Sequence, residues 1–411
     1  MRIHNYTIFK SSMGMAPGFN SILSSEVQRF IHEHELTDES ALVLKEKEIF
    51  GVPIVDIAHQ IVGRRKSKTK LPTLYNTPRI VYPPKINLEQ CSSEKTAKYK
   101  SGLVTGKIAV DLTAGFGVDS YFLSKRFETI TYIDPDQTLL EIARHNHSEL
   151  GLQNISYLCT DAASFLKSSS ESFDLIYIDP SRRNSANRKI FKFSDCSPNI
   201  VELLPLILKK SKHILLKASP LIDIQQGLRE LQSVSKIFII GFDNECKEVL
   251  FLIDHNNSQS PIIEAVDITN PAPTKFSFTL PEERSADIQY SDPLEFLYEP
   301  SAMILKTGAF KLVAKRFQLK KIAPNTHLYT SAQHISDFPG RAFKITDFVK
   351  PDAKSIKVTV PEGYLNIITR NYPLTPSQLK KKLKTQDGGE RYAIAFSGLQ
   401  KKYLALANRV K

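Results

Sequence analysis

Residues 107–117, KIAVDLTAGFG, constrain this chain more than any other stretch, because an apolar run stops at an acid and turns at once through two glycines. Ile108, Ala109 and Val110 read as a buried parallel strand, and Gly115 and Gly117 let the backbone double back into a helix with no Cβ in the way. Such a turn leaves room for a nucleoside cofactor. The spacing Asp111-x-Thr113-x-Gly115-x-Gly117 meets only the first half of the dinucleotide fingerprint G-x-G-x-x-G, since Ser120 holds the third position. A pyrophosphate prefers a bare helix N-terminus, whereas an acid at the strand end suits a cation, so the turn favours S-adenosylmethionine over NAD. Taken alone, the stretch also fits an ordinary tight turn between strand and helix.

Strand and helix alternate regularly after the turn. A helix is expected over 118–127, a strand over 129–133 ending at Asp134, and an amphipathic helix over 136–150 stopped by Gly151. Strands over 155–159 and 174–178 end at Asp161 and Asp179, and a fifth covers 213–217. A helix over 224–231 precedes a closing hairpin of 237–242 with 249–253. This order predicts a parallel doubly wound α/β sheet with one antiparallel strand at its end.

Asp111, Asp134, Asp161 and Asp179 therefore fall at the carboxyl ends of four successive strands, where the ligand crevice of an open α/β sheet lies. Each acquires an expected role: Asp111 facing the cationic amino-acid end of S-adenosylmethionine, Asp134 accepting both ribose hydroxyls, and Asp161 receiving the adenine amine. Asp179 is left for the second substrate. A helix cap is the plain alternative for any one of them. Methyl transfer from a sulfonium is an in-line displacement, so the protein must hold a nucleophile against the methyl carbon while a proton drains away. Asp179-Pro180 places a carboxylate in a rigid turn, where it can accept the N–H groups of an exocyclic base amine. Arg182 and Arg183 then either clamp a phosphate or carboxylate or pair with acids of the same cleft.

The flanks are different in texture. Residues 1–75 read as helical, with Val27, Phe30, Ile31, Ile54, Ile57, Ala58, Ile61 and Val62 at helix spacing and Gly63 placed to end the second run. A basic block follows from Arg64, Arg65 and Lys66 to Lys70. With a formal net charge of +12 on 411 residues, the block favours nucleic-acid contact over a solvated loop. RNA or DNA suits that charge better than an anionic membrane surface. The opening MRIHNYTIFK lacks the apolar core of a signal peptide, and nowhere do ~18 apolar residues run uninterrupted, so a cytoplasmic protein with no membrane span is expected. Cys91, Cys159, Cys196 and Cys246 match no C-x-x-C spacing and fit reduced thiols. From Pro261 onward prolines cluster and short strands and helices mix, as in one or two small α+β units. Lysines gather there at 320–321, 380–384 and 401–402. Phe310, Phe317, Tyr329, Phe338, Phe343, Tyr392 and Phe396 lie among them and read as core before they read as base-stacking rings.

Residues 107–183 resemble class I S-adenosylmethionine-dependent methyltransferases. The longer set is similar to one bacterial family of that class: LPTLYNTPRIVYPPKINLEQCSSEKTA at 71–97, DLTAGFGVDS at 111–120, YIDPSRR at 177–183, LLKASPLIDI at 215–224 and NECKEVL at 244–250. EPSAMILKTGAF, HLYTS, FPGRAF and KKKLKTQDGGERYAIAF continue the likeness to the C-terminal part. The resemblance implies a Rossmann-like, seven-stranded methyltransferase domain over 86–258 after an N-terminal helical region over 1–85. A ferredoxin-like α+β domain over 259–334 and a THUMP-like domain over 335–411 would follow. It implies a transferase acting on RNA, with cofactor roles for Asp111, Gly115, Gly117, Asp134 and Asp161 and a catalytic role for Asp179 and Pro180. Thr113 belongs to the same cofactor turn. Amine methyltransferases of the Asp-Pro-Pro-aromatic type carry a second proline and a ring where this chain has Ser181 and Arg182. Stacking would then fall to Phe191 or Phe193, or the target is not an exocyclic amine. DNA or protein as the substrate, and a catalytically silent RNA-binding scaffold, are the rival readings.

Overall fold

The computed structural model describes residues 19–182 and 192–410, with the side chain of Arg182 left out. Two compact units divide the chain, residues 1–235 with 249–258 and residues 236–248 with 259–411.

The first unit is built on parallel strands in alternation with helices. The strands β1 (Ile108–Asp111), β2 (Thr129–Asp134), β3 (Ile155–Cys159), β4 (Phe173–Ile178) and β5 (Ser211–Ala218) lie in the order β3-β2-β1-β4-β5. β6 (Val234–Phe242) leads into β7 (Glu245–Asp254) through Asp243 and Asn244, both at positive φ as a two-residue hairpin turn requires. Residues 249–254 of β7 run antiparallel to β5. A chain reversal immediately after each parallel strand brings the carboxyl ends of β1 to β4 to one side. The class I methyltransferase arrangement is thus present, with its one antiparallel strand where the hairpin signal placed it.

Before β1 the chain is mostly helical, as expected, but a short hairpin, Glu48–Ile49 with Val52–Pro53, interrupts it. The helix α1 (Ile54–Lys70) runs straight through Gly63. That glycine does not end the helix; it makes room, because a Cβ there would come within 2.4 Å of the Tyr82 Cβ. The extended segment around Val81 is then locked from both sides. Gln60 exchanges two hydrogen bonds of 2.8 Å with the Tyr82 backbone, and Asn146 exchanges two with Val81. Leu71, Leu74, Ile80 and Tyr82 share one apolar cluster with Phe116, Val118, Tyr121 and Phe122, so the helical region packs directly on the glycine turn and the helix after it.

In the second unit, β6 pairs in parallel with β8 (Ile262–Asp267), which pairs antiparallel with β9 (Thr274–Thr279). A seven-stranded sheet follows, made of β10 (Phe296–Pro300), β11 (Lys320–Ala323), β12 (Thr326–Ser331), β13 (Gly340–Phe348), β14 (Asn366–Arg370), β15 (Arg391–Ser397) and β16 (Lys402–Arg409). Its order is β11-β12-β10-β13-β16-β15-β14. The sheet curls back on itself, for Thr326 on β12 donates to the Ser397 carbonyl at the end of β15 at 2.6 Å and accepts from Asn371 just past β14. Glu299, 2% exposed, is gripped by Arg341 from β13 and Arg370 from β14. Tyr329, Phe338, Phe343 and Phe396 are buried in this unit, Phe310 stacks on His327, Phe317 on Phe276, and Tyr392 packs on Phe343. The first four are core, and Phe310, Phe317 and Tyr392 are half-buried at its margin.

Candidate active site

The glycine turn and the ends of β2 and β4 surround a cleft of about 540 Å3. Thr113, Gly115, Gly117, Asp134, Asp161 and Asp179 all line it, and so does Asp119 from the first turn of the helix α3 (Val118–Leu123), which sequence reasoning missed. Gly115 (φ +54°) and Gly117 (φ +82°) hold left-handed conformations. A Cβ on Gly115 would find only the Thr113 carbonyl, at 3.9 Å, so this turn leaves open space for a guest. Behind Gly117 the space is taken. His147 donates from Nε2 to the Gly117 carbonyl at 2.9 Å while Nδ1 accepts from the Tyr157 hydroxyl, and burial pushes this imidazole down to about 4. The turn is therefore backed by a neutral histidine.

Asp134 lies at the mouth of the turn. Its Oδ2 accepts from the Gly115 amide at 2.9 Å and its Oδ1 from the Asp136 amide at 2.8 Å, each oxygen keeping a second lone pair for a ligand hydroxyl. Burial raises its pKa from the ordinary carboxylate value. Asp161 is exposed and caps the helix Ala162–Ser168, accepting from the Ser164 hydroxyl at 2.7 Å and the Ser164 amide at 2.9 Å, which hold its carboxyl below the ordinary range. It is a cap that also faces the cleft.

Asp111 departs from expectation. It is fully buried and does not reach the cleft. In register with Tyr177 on β4, it is enclosed beneath the turn, where Ser120 donates to it at 2.7 Å and the Thr113 amide at 3.2 Å. Burial pushes its carboxyl up to about 7. An acid so placed braces the turn from behind, so three acids of the expected four line the cleft, with Asp119 added.

Asp179 is fixed at two points. Its amide donates to the Thr113 hydroxyl at 2.6 Å, tying the end of β4 to the glycine turn, and its Oδ2 is ion-paired with Lys217. Lys217 is reached through strand register, since Tyr177 lies opposite Leu215 and Ile178 opposite Leu216. Beside this pair lies a second buried ion pair. Lys100, 2% exposed on α2 (Glu94–Ser101), contacts Asp119 Oδ1 at 2.9 Å, and the hydroxyls of Ser92 and Tyr177 donate to Asp119 Oδ2 at 2.8 Å. Burial opposes ionisation of Asp119, but Lys100, Lys217 and these hydrogen bonds outweigh it and hold the carboxyl below the usual range.

Pro180 follows Asp179 into the two-residue strand Ser181–Arg182, paired with Cys196–Ser197. The Arg182 side chain, Arg183 and Phe191 lie outside the described residues. Phe193 is buried edge-on against Phe251 at 5.2 Å and cannot stack on a base. The basic block continues the helix α1, and its cations have partners within the chain. Arg64 binds Glu35 and the Tyr75 carbonyl at 3.1 Å and lies over the Tyr75 ring, Arg65 pairs with Glu39, and Lys66 with Glu89 at 2.6 Å. No polyanion is needed opposite them.

Among the described residues the cleft lining carries five carboxylates, Asp119, Asp134, Asp161, Asp179 and Glu202, and no lysine or arginine. Such a lining repels a pyrophosphate and attracts a cation, and the volume and the open glycine turn fit S-adenosylmethionine, whose sulfonium and amino groups are positive. Comparison with known proteins agrees. Residues 109–190 match a methyltransferase domain, residues 296–339 a ferredoxin-like domain and residues 340–409 a THUMP domain-like family. A crystal structure of a Porphyromonas gingivalis W83 protein assigned to the methyltransferases superposes with a TM-score of 0.84 at 31% identity, covering 95% of this chain and 99% of that one. An uncharacterised S-adenosylmethionine-dependent methyltransferase of Mycobacterium tuberculosis, in two strains, is 20% identical over 75% of this chain and 82% of its own length.

Proposed function

Because this chain belongs to the S-adenosylmethionine-dependent methyltransferases, we propose that its methyl acceptor is RNA, at a base nitrogen of structured rRNA or tRNA. The acidic cleft carries the cofactor half of the reading, and the net charge of +12 with the THUMP-like match supports the RNA half. When bound, the cofactor supplies an electrophilic methyl group on a sulfonium. In this reading Asp134 accepts the ribose hydroxyls, Asp161 the adenine amine, and the turn from Thr113 to Gly117 shapes the floor beneath them. Asp179 accepts an N–H of the acceptor base, turning the nitrogen lone pair toward the methyl carbon. Pro180 keeps that carboxylate from swinging away by fixing the backbone that follows it. A base within a folded RNA has to leave its stack to enter the cleft and reach this carboxylate.

Calorimetry with S-adenosylhomocysteine tests the first half: Asp134→Ala is expected to weaken binding about 10²-fold, since hydrogen bonds to a charged group contribute ~1.5–3 kcal/mol. Affinity unchanged in that variant would remove the ribose assignment. For the second half, RNA from cells lacking the gene is compared nucleoside by nucleoside with RNA from wild-type cells. Loss of one methylated nucleoside is expected; an unaltered RNA profile beside an altered DNA or protein profile would move the substrate to that class.

A further inference from the structure

We propose that Lys217, in the LLKASP segment, is the positioning residue of methyl transfer: it holds the Asp179 carboxylate in place and aimed, and so decides how the acceptor nitrogen is presented. The inference rests on the reading of Asp179 as the acceptor-binding carboxylate. Three observations carry it. First, strand register sets Lys217 on β5 directly across from Asp179 at the end of β4, and its ammonium is ion-paired with Oδ2. Second, the two ends of the pair sit in different surroundings: the Lys217 side chain is 11% exposed and the Asp179 side chain 29%, the latter lining the cleft. The cation is thus sunk in the wall and the carboxylate stands at the surface of the cleft. Third, the Lys217 charge also acts on Asp119, a second carboxylate that lines the same cleft.

The consequence is directional. Asp179 is anchored through its amide to Thr113 and through Oδ2 to Lys217, so neither its backbone nor its carboxylate is free to turn. Oδ1 then accepts from the acceptor N–H in one orientation. As that nitrogen's lone pair forms the new N–CH3 bond, the electron pair of the S–CH3 bond stays on sulfur. The N–H proton passes to the carboxylate and from it to water. Misplacement of such a group by about 1 Å costs on the order of 10²-fold in rate.

The test uses the full-length protein, methyl-labelled S-adenosylmethionine, and a lysate of cells lacking the gene as acceptor, separated afterwards into RNA, DNA and protein. Lys217→Met is expected to lower label transfer about 10²-fold while S-adenosylhomocysteine affinity by calorimetry stays within about threefold. Lys217→Arg is expected to recover transfer to within about tenfold of wild type. Asp179→Asn should lose transfer by itself, and adding Lys217→Met to it should change nothing further, because the lysine acts only through that carboxylate. Transfer by Lys217→Met equal to wild type, or additive losses in the double variant, would overturn the inference. Should Lys217→Met fold poorly, the comparison of Asp179→Asn with Asp179→Asn/Lys217→Arg decides the same question. Wild-type label in DNA or protein would sink the RNA reading and leave the Lys217 comparison intact. No label in any fraction removes the acceptor site and this inference with it.

Discussion

Two charged clusters of this protein stand out in the sequence, and the structure treats them in opposite ways. The strand-end acids Asp134, Asp161 and Asp179 are held by neighbouring hydrogen-bond donors or a buried cation, and their carboxylates still reach an open cleft. The cations Arg64, Arg65 and Lys66 are consumed by Glu35, Glu39 and Glu89, which lie 23 to 29 residues away in the chain. What differs is the source of the constraint. Topology forces every βα turn of a parallel sheet to the same edge, so an acid there is placed by the fold. A charge on a helix has no such address, and any acid that the fold brings alongside will neutralise it.

The largest effect that sharpens this contrast concerns Lys100, a cation consumed by an acid directly beneath the cleft. Replacing it by Met takes away the ammonium that contacts the buried Asp119, which for a buried pair costs ~3–5 kcal/mol. Urea unfolding should show the midpoint fall accordingly, with S-adenosylhomocysteine affinity reduced as the first turn of α3 shifts. A loss under ~1 kcal/mol would mean that the pair behaves as a surface ion pair, and the distinction between the two clusters would weaken.

The second effect is a pH dependence hidden by compensation behind the glycine turn. His147 titrates at about 4 when folded against an ordinary 6.5, so the unfolded chain takes the proton first and stability is lost as pH falls from about 6.5 to about 4. Asp111 does the reverse. Its folded value of about 7 against 3.8 means that the folded state takes the proton first, so its contribution is greatest in acid and is lost as pH rises from about 4 to about 7. The two slopes oppose each other over nearly the same window. His147→Gln is expected to unmask a rise in stability on acidification, and Asp111→Asn a fall, each followed by thermal melts between pH 4 and 7. Slopes of the same sign in both variants would show that neither group controls the turn.

How much of this was legible depends on the range of the interactions. Strand ends, glycine turns and the closing hairpin are set by a few consecutive residues, and Gly115, Gly117, Asp134 and Asp179 were found on that basis. Asp111 was misplaced because the strand end fixes the sheet edge but not the face on which a side chain emerges; its register with Tyr177 decides that. Lys217, Lys100 and Asp119 come from three elements, and nothing in their local sequence separates them from surface charges. Gly63 read as a helix end because its partner, Tyr82, lies 19 positions along. In the second unit, EPSAM and FPGRAF stood out as motifs without a role, and the structure supplies one: Pro300 pairs with Gly340, and a Cβ on Gly340 would come within 2.1 Å of the Glu299 carbonyl. They are the seam that joins the ferredoxin-like and THUMP-like stretches into one sheet.

The smallest expected effect is the one that could break the comparison. Alanine at Arg64, Arg65 and Lys66 together removes two ion pairs of partly exposed groups, each contributing at most about 1 kcal/mol, and the Arg64 pair, which contributes more because Glu35 is buried and Arg64 also binds the Tyr75 carbonyl and covers the Tyr75 ring. The triple variant should therefore melt a few degrees lower while its affinity for a bulk tRNA preparation keeps the salt dependence of wild type. Three lost phosphate contacts would instead flatten the slope of log affinity against log salt by about 2 to 3. A flattening of that size would show that these cations exchange their own acids for phosphates when RNA arrives, and a charge already paired within the chain could then no longer be discounted as a binding group.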